Sequence, residues 1–409
     1  MTGRGHGPGE RAVLVSAVAS QATVSICSWG LGALVPELAA EFALTGPAIG
    51  LVLAAGSVST ALALVPAGAL VDRVGPRRPL LVGAVGVAAC LIAAGYASGL
   101  GGLVIAFGAF GLFQAVITLA GAVSILHTFP PARRGTAMGV RQMAVSLGGL
   151  LAAVLLPGLA ALGGVRLALL TSAALAGASA LAFALVSPAR GVANGTGAAQ
   201  RGLALDLTGL LRRPGMVRLL ALAAVYVISL AAVLGFAVAG LRADGAGPVA
   251  GSALFVVVSL SAMAARLVWG RLADRRGPDG VPRRWSTLRA IWVVLVLGAL
   301  GYWALSPIGA VALVPAMAVL AFGAFGANGV LQLIAGELAG PERAGQGVGL
   351  ASMVLFGVSA LVSPVHGWVA DTFGYRALWL ICAGCGLVCL LLTDGTRRVV
   401  PSRIGEAPA

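Results

Sequence analysis

Twelve apolar runs decide what this chain can fold into. They fall at roughly 12–34, 47–71, 79–98, 101–126, 136–162, 165–187, 217–241, 248–272, 287–306, 308–336, 346–370 and 375–393. A helix that rises ~1.5 Å per residue needs ~20 apolar residues to cross ~30 Å of hydrocarbon, and each run comes close to that length or exceeds it. The chain is 59% hydrophobic and 10% charged. Soluble domains run near ~25% charged, so a soluble globule and a disordered chain are both excluded. The fold expected is all-α and membrane-embedded, with twelve transmembrane helices.

Charge placement orients those helices. All 27 basic residues are Arg; there is no Lys. Without Lys there is no phosphate-binding loop of the G-x-x-x-x-G-K-[ST] kind and no Schiff-base lysine, so an ATP-driven pump of that class and a retinal protein are excluded. With the N-terminus in the cytoplasm, 22 Arg fall in inside segments and three outside, at Arg166, Arg242 and Arg376. The positive-inside rule selects this orientation, with both termini cytoplasmic and the chain in the cytoplasmic (inner) membrane. The net charge of +14 is then a topology signal rather than a nucleic-acid footprint. The three His (His6, His127 and His366) are far apart in sequence, so neither a metal centre nor a cofactor is expected. Cys27, Cys90, Cys382, Cys385 and Cys389 lie inside runs and read as small packing residues.

The two halves repeat each other. Phe107-Gly108-Ala109-Phe110-Gly111 recurs as Phe322-Gly323-Ala324-Phe325-Gly326. Pro131, Arg133, Gly135 and Gly139 recur as Pro341, Arg343, Gly345 and Gly349, and Gly68, Asp72, Arg73 and Gly75 recur as Gly270, Asp274, Arg275 and Gly277. Matches in the same order divide the chain into an N-terminal six-helix bundle (1–187), a Gly-, Ala- and Arg-rich cytoplasmic linker (188–216), a C-terminal six-helix bundle (217–395) and a cytoplasmic tail (396–409). Repeated six-helix halves suggest a secondary transporter with its substrate site near the midplane.

The stretch from Gly68 through Asp72, Arg73, Gly75 and Arg77 to Arg78 resembles the signature loop between the second and third helices of the major facilitator superfamily. Gly270, Asp274 and Arg275 resemble its partner loop between the eighth and ninth. The resemblance implies two pseudo-symmetric bundles and alternating access by rocking. On this reading Gly68, Asp72, Arg73, Gly75, Arg77, Gly270, Asp274 and Arg275 form a conformational latch, each Asp capping a neighbouring helix N-terminus or pairing with an Arg. Holding topology is an alternative role for the Arg residues, compatible with the first. Gly135-x-x-x-Gly139 and Gly345-x-x-x-Gly349 are expected to let helix backbones touch.

Two Arg fall inside runs. Arg266 lies eight residues before Asp274, near the midplane, and Arg141 lies seven residues after Arg134. An Arg at that depth costs at least ~2.5–3.5 kcal/mol on insertion scales and is a functional candidate by default. None of the 13 Asp and Glu lies deep inside a run. A substrate anion would supply the counter-charge, because guanidinium binds carboxylate bidentately; a structural bond to backbone carbonyls is the other reading. Arg266-x-x-x-Gly270-x-x-x-Asp274 also resembles the eighth-helix pattern of oxalate and monocarboxylate carriers, although Ala262 stands where proton-coupled monocarboxylate carriers have an acid. Gln21, Ser25 and Ser28 form one polar stripe on the first run. Gln21, Gln114, Tyr226 and Asn328 are further substrate-binding candidates, since the first, fourth, seventh and tenth helices line the cavity in the resembled fold. Interhelical hydrogen bonds are their alternative role. His366 is a candidate proton relay or a structural His.

The expected function is a secondary active or facilitative transporter of a small organic anion. An efflux carrier for hydrophobic or drug-like compounds is the alternative; such carriers usually need an embedded acid. A membrane sensor would need a longer soluble extension than these tails provide. No enzyme is expected, since no nucleophile–base pair appears. The expected partners are the small-molecule substrate and the bilayer, with no nucleic acid, and the chain acts as a monomer.

Overall fold

A computed structural model of the chain describes residues 8–186, 206–245, 248–277 and 280–394. Most of the predicted linker (188–205) and the tail (396–409) lie outside the described residues; residues 206–216 carry one short helix. Among the described residues every element is helical, apart from one isolated bridge between Arg276 and Pro282. In chain order the helices are α1 (Pro8–Ala33), α2 (Val35–Glu41), α3 (Gly46–Val74), α4 (Arg77–Gly95), α5 (Leu100–Thr128), α6 (Arg134–Val186) and α7 (Leu207–Leu211). They continue with α8 (Met216–Ala243), α9 (Pro248–Asp274), α10 (Arg284–Leu305), α11 (Ala310–Ala324), α12 (Ala327–Ala339), α13 (Ala344–Phe373) and α14 (Tyr375–Asp394), with a 3-10 turn at Ser306–Ile308 before α11. Only helices can cross a bilayer as single segments, because hydrocarbon offers no partner to a free N–H or C=O.

Two elements depart from a one-run, one-helix reading. The 53-residue α6 holds two of the predicted runs, with its helical path broken at Gly163 and Gly164. Gly164 has φ +72, a left-handed conformation that a Cβ would strain, and Glu41 Oε2 accepts the freed Val165 N–H at 2.9 Å. This kink restores the predicted count of twelve spans. The tenth run (308–336), by contrast, is not one helix: it is interrupted at Phe325–Gly326, between α11 and α12.

The described residues form two compact units, which do not coincide with contiguous halves. One draws on Met1–Pro130, Val140–Leu205 and Ala339–Phe356, the other on Pro131–Gly139, Asp206–Leu338 and Gly357–Ala409. In the first, α1, α3 and α4 pack on α5 around Leu34, Leu91, Phe107, Phe110, Leu156 and Leu169. In the second, α8, α10 and α14 pack around buried aromatic residues. Tyr226 stacks at a tilt on Trp292 (5.5 Å between ring centres), and Tyr302 on Trp379 (5.0 Å). Large apolar side chains such as Leu62, Ile105, Leu162, Leu361 and Leu391 are fully outward-facing. That would be a liability in water and is the ordinary state of a lipid-facing surface.

Candidate functional site

The repeated Asp residues occupy equivalent places. In the first unit, Asp72 near the end of α3 accepts the N–H of Gly345 on Oδ1 (2.6 Å) and of Gln346 on Oδ2 (2.9 Å). These are first-turn donors of α13, which have no acceptor within their own helix. The approach is close because the crossing is glycine on both sides. A Cβ on Gly345 would lie 2.5 Å from Gly68 O, and one on Gly349 2.5 Å from Leu64 O. In the second unit, Asp274 at the end of α9 accepts the N–H of Gly135 (2.7 Å) and Thr136 (2.6 Å) at the start of α6. A Cβ on Gly135 would lie 2.5 Å from Gly270 O, and Gly139 abuts the carbonyl of Arg266. Of the predicted glycine pairs, Gly345 meets Gly68, and Gly135 and Gly139 meet Gly270, while Gly349 meets Leu64.

The second carboxylate has a neighbour the sequence did not point to. Arg284, at the start of α10 and 5% exposed, donates from Nη1 to Asp274 Oδ1 (2.7 Å) and Ala273 O (2.8 Å). Its Nη2 reaches Pro131 O (2.6 Å) and Glu337 Oε1 (3.2 Å), and Glu337 lies 3.7 Å from Arg134. Arg73 and Arg275 are exposed at their helix ends, and Gly75 closes α3 at φ +75.

Arg141 is 1% exposed within α6. Its Nη2 donates to Gln21 Oε1 on α1 (2.5 Å) and to the Thr118 carbonyl on α5 (2.6 Å). Gly121, one turn along α5, makes the room: a Cβ there would lie 2.8 Å from Arg141 Nε. Gln21 Nε2 in turn faces Ser25 Oγ at 3.3 Å, and Ser28 Oγ donates to Gln114 Oε1 at 2.8 Å. The structure thus brings Arg141, Gln21 and the α1 stripe together, with Gln114 joined to the end of that stripe. Gly121 was missed; a lone Gly in an apolar run carries no signal of what its empty side leaves space for.

Arg266 is 6% exposed, its guanidinium 5.2 Å above the centre of the Phe325 ring. Phe325 sits at the interruption between α11 and α12. The carbonyls freed there are taken by side chains from other helices. Trp269 Nε1 on α9 donates to Phe322 O (3.0 Å), and the Tyr226 hydroxyl on α8 donates to Ala324 O. That hydroxyl thus occupies the Ala324 carbonyl that would take the Asn328 N–H in a continuous helix. Tyr226 is engaged with backbone, whereas the Asn328 side-chain amide makes no hydrogen bond to any described residue and its Oδ1 is buried. His366 on α13 is 2% exposed and edge-on to Phe236 (6.0 Å); neither ring nitrogen has a hydrogen-bond partner among the described residues. It is not grouped with the other candidates. No cluster of three metal-ligating side chains occurs among the described residues.

The fold is shared with solved transporters. The proton:xylose symporter XylE bound to 6-bromo-6-deoxy-D-glucose aligns at TM-score 0.74 and 15% identity, over 94% of this chain and 95% of that one. The human organic anion transporter MFSD10 (TETRAN) aligns at 0.75 and 17%, over 94% and 99%. A bacterial homologue of the iron transporter ferroportin, in an outward-facing state, aligns at 0.75 and 13%, over 94% and 99%. A comparison with curated protein sequences finds no match. A sequence model of the Major Facilitator Superfamily matches residues 17–364, most of the chain. With its apolar helices, paired signature loops and this match, the chain belongs to the major facilitator superfamily and is a multi-pass membrane transporter.

Proposed function

We propose that the chain is a secondary transporter of a small organic anion, a carboxylate, working by alternating access in the cytoplasmic membrane with both termini inside. The fold it shares serves sugar, iron and anion carriers alike, so the cargo has to be argued from the site. The observation that carries the reading is Arg141. It is a buried guanidinium within a membrane helix, oriented by Gln21 Oε1 and Thr118 O. These two acceptors are neutral, and they fix the direction of the guanidinium. Arg266, buried over an aromatic face, is the second cationic contact of this reading. Asn328 and Gln114 supply neutral contacts, and Gln21 and Tyr226 act by holding Arg141 and the α11–α12 interruption in place. Asp72 and Asp274, each capping a helix start, serve as the latch. His366 is the proton-carrying group where transport is proton-coupled.

Thermal-shift measurement on purified protein against carboxylates, inorganic anions, neutral sugars and cationic dyes tests the cargo class. A ligand at 100 times its Kd stabilises a two-state target by ~2.7 kcal/mol. The expected result is a carboxylate shift that vanishes in Arg141→Ala and in Arg266→Ala. A shift from sugars or cationic dyes that survives both substitutions would make the two Arg structural and remove the anion reading.

A further inference from the structure

The hydrogen-bond chain that starts at Arg141 has a direction, and it ends on a proton. A guanidinium can only donate, so the Arg141 contact fixes the Gln21 amide with its oxygen toward Arg141 and its nitrogen toward Ser25. Ser25 Oγ is therefore the acceptor of the Gln21 N–H, and its own proton remains to be placed. Helical Ser and Thr in membranes usually place it on a carbonyl one turn back. Ser16, Ser20 and Thr23 on α1 do so, on Val13 O, Ala17 O and Ala19 O, and Ser28 has two acceptors in reach of its one proton, Val24 O and Gln114 Oε1. Ser25 does not, and it donates to no described residue although it is only 3% exposed. It lies two residues past the middle of the run at 12–34, about 3 Å along the helix axis. Facing it is Gly148, two turns beyond Arg141 on α6; a Cβ there would lie 2.6 Å from the Ser25 Cβ.

We infer that Ser25 is a substrate-contacting, specificity-determining residue whose hydroxyl donates to the transported anion, an inference that rests on the anion reading above. Each donor in the series Arg141, Gln21, Ser25 polarises the next, so the terminal O–H is a stronger donor than an isolated serine. A group that only accepts, such as a carboxylate oxygen, satisfies it fully. The positive charge at the head of the series favours an anion over a neutral carbonyl. The residue selects for an acceptor-only end on the substrate and adds a second, directional contact beside that of Arg141.

The test is affinity from ligand-dependent melting of the full-length protein, with acetate, oxalate, succinate and citrate as probes. Ser25→Ala is expected to weaken the best carboxylate about tenfold, the loss of one hydrogen bond to a charged group. Ser20→Ala removes an equally buried hydroxyl that is bonded to Ala17 O and is expected to leave that affinity unchanged. Ser25→Cys keeps the shape with a weak donor, is expected to fall on the Ala side, and replaces Ser25→Ala should that protein not fold. Ser25→Ala binding with wild-type affinity while Arg141→Ala abolishes binding would overturn the Ser25 assignment and leave the anion reading standing. If none of the four probes shifts the wild type while a neutral or cationic compound does, the anion reading falls and the Ser25 assignment with it.

Discussion

Asp72 and Asp274 come from one repeated motif and cap helices in the same way, yet the material around them differs. Each accepts two successive N–H groups at a helix start, across a crossing built of glycine. Around Asp274 the cap is set in a cluster of full charges: Arg284 bonds it directly and ties it to Glu337 and to the Pro131 carbonyl. Around Asp72 the corresponding places are filled differently. The repeat offset that carries Pro131 to Pro341 carries His127 to Glu337, and His127 Nε2 lies 3.3 Å from Pro341 O. The first carboxylate is held by helix-end donors, with no ion pair to a described residue; the second is held by those donors and a buried cation. A motif thus fixes the geometry of a contact, while residues outside the motif set how strongly it is held.

Arg284→Ala is the strongest way to break that contrast. It strips the cation from Asp274 and Glu337, whose side chains are 7% and 16% exposed. Breaking a buried pair from one side costs ~3–5 kcal/mol, because the remaining charge is left uncompensated. The expected outcome is a melting temperature in detergent several degrees below wild type. Arg284→Lys, which keeps the charge but loses the fork that spans two carboxylates and two carbonyls, falls between. A melting temperature unchanged in Arg284→Ala would mean that the two caps are held equally, whatever surrounds them.

A second repeated segment gives the same lesson in the backbone. Phe107 to Gly111 runs through the middle of α5 without interruption, while the same five residues at Phe322 to Gly326 end α11. The segment cannot itself encode the difference. Trp269 and Tyr226, from α9 and α8, supply donors to the freed carbonyls. Tyr226→Phe removes the donor to Ala324 O while keeping the ring on Trp292. An unmet buried backbone carbonyl costs ~1–3 kcal/mol, unless the segment recoils into continuous helix. The expected effect is a stability loss in that range, together with weaker substrate binding, because Phe325 and Asn328 would shift relative to Arg266. Hydrogen exchange at Asn328 reads the opening directly; protection equal to wild type in Tyr226→Phe would remove the hydroxyl from this role.

Some of these features were legible in the sequence and some were not, for physical reasons. Span count and the membrane class follow from run length and hydropathy, which are sums over ~20 residues and tolerate error at any one. The break between the fifth and sixth spans was visible because Gly163-Gly164 supplies a backbone that other residues avoid. That Arg141 and Arg266 lie within long helices follows from their places inside the apolar runs. What escaped was set by partners on other elements. Arg284 counts as one more loop Arg in any tally of charge, and only the hairpin that folds α10 back on α9 brings it to a carboxylate ten residues earlier. The donor status of Ser25 escaped too: its place in the polar stripe was plain, but where its proton goes depends on Arg141, 116 positions away in the chain.

The smallest expected effect is the most informative about mechanism. Asp72→Asn keeps the side-chain shape and one acceptor oxygen, and removes the charge that faces the start of α13. A charge at a helix N-terminus contributes ~0.3–1 kcal/mol when exposed and up to ~2 kcal/mol when partly buried. Such a loss barely moves a melting temperature against an uncertainty of a degree or two. It does move a conformational equilibrium: ~1 kcal/mol is a factor of about five in the ratio of two states. The measurement is therefore the balance of inward- and outward-open forms, read by site-directed labelling at each membrane face, beside the transport rate. A several-fold shift in that balance with near-wild-type stability is the signature of a latch. An unchanged balance and rate would make the Asp72 contact a local helix cap only. The same substitution at Asp274 leaves Arg284 facing a neutral amide, so its cost should appear in stability first; if both substitutions read out alike, the charges around Asp274 do not distinguish the two caps in function.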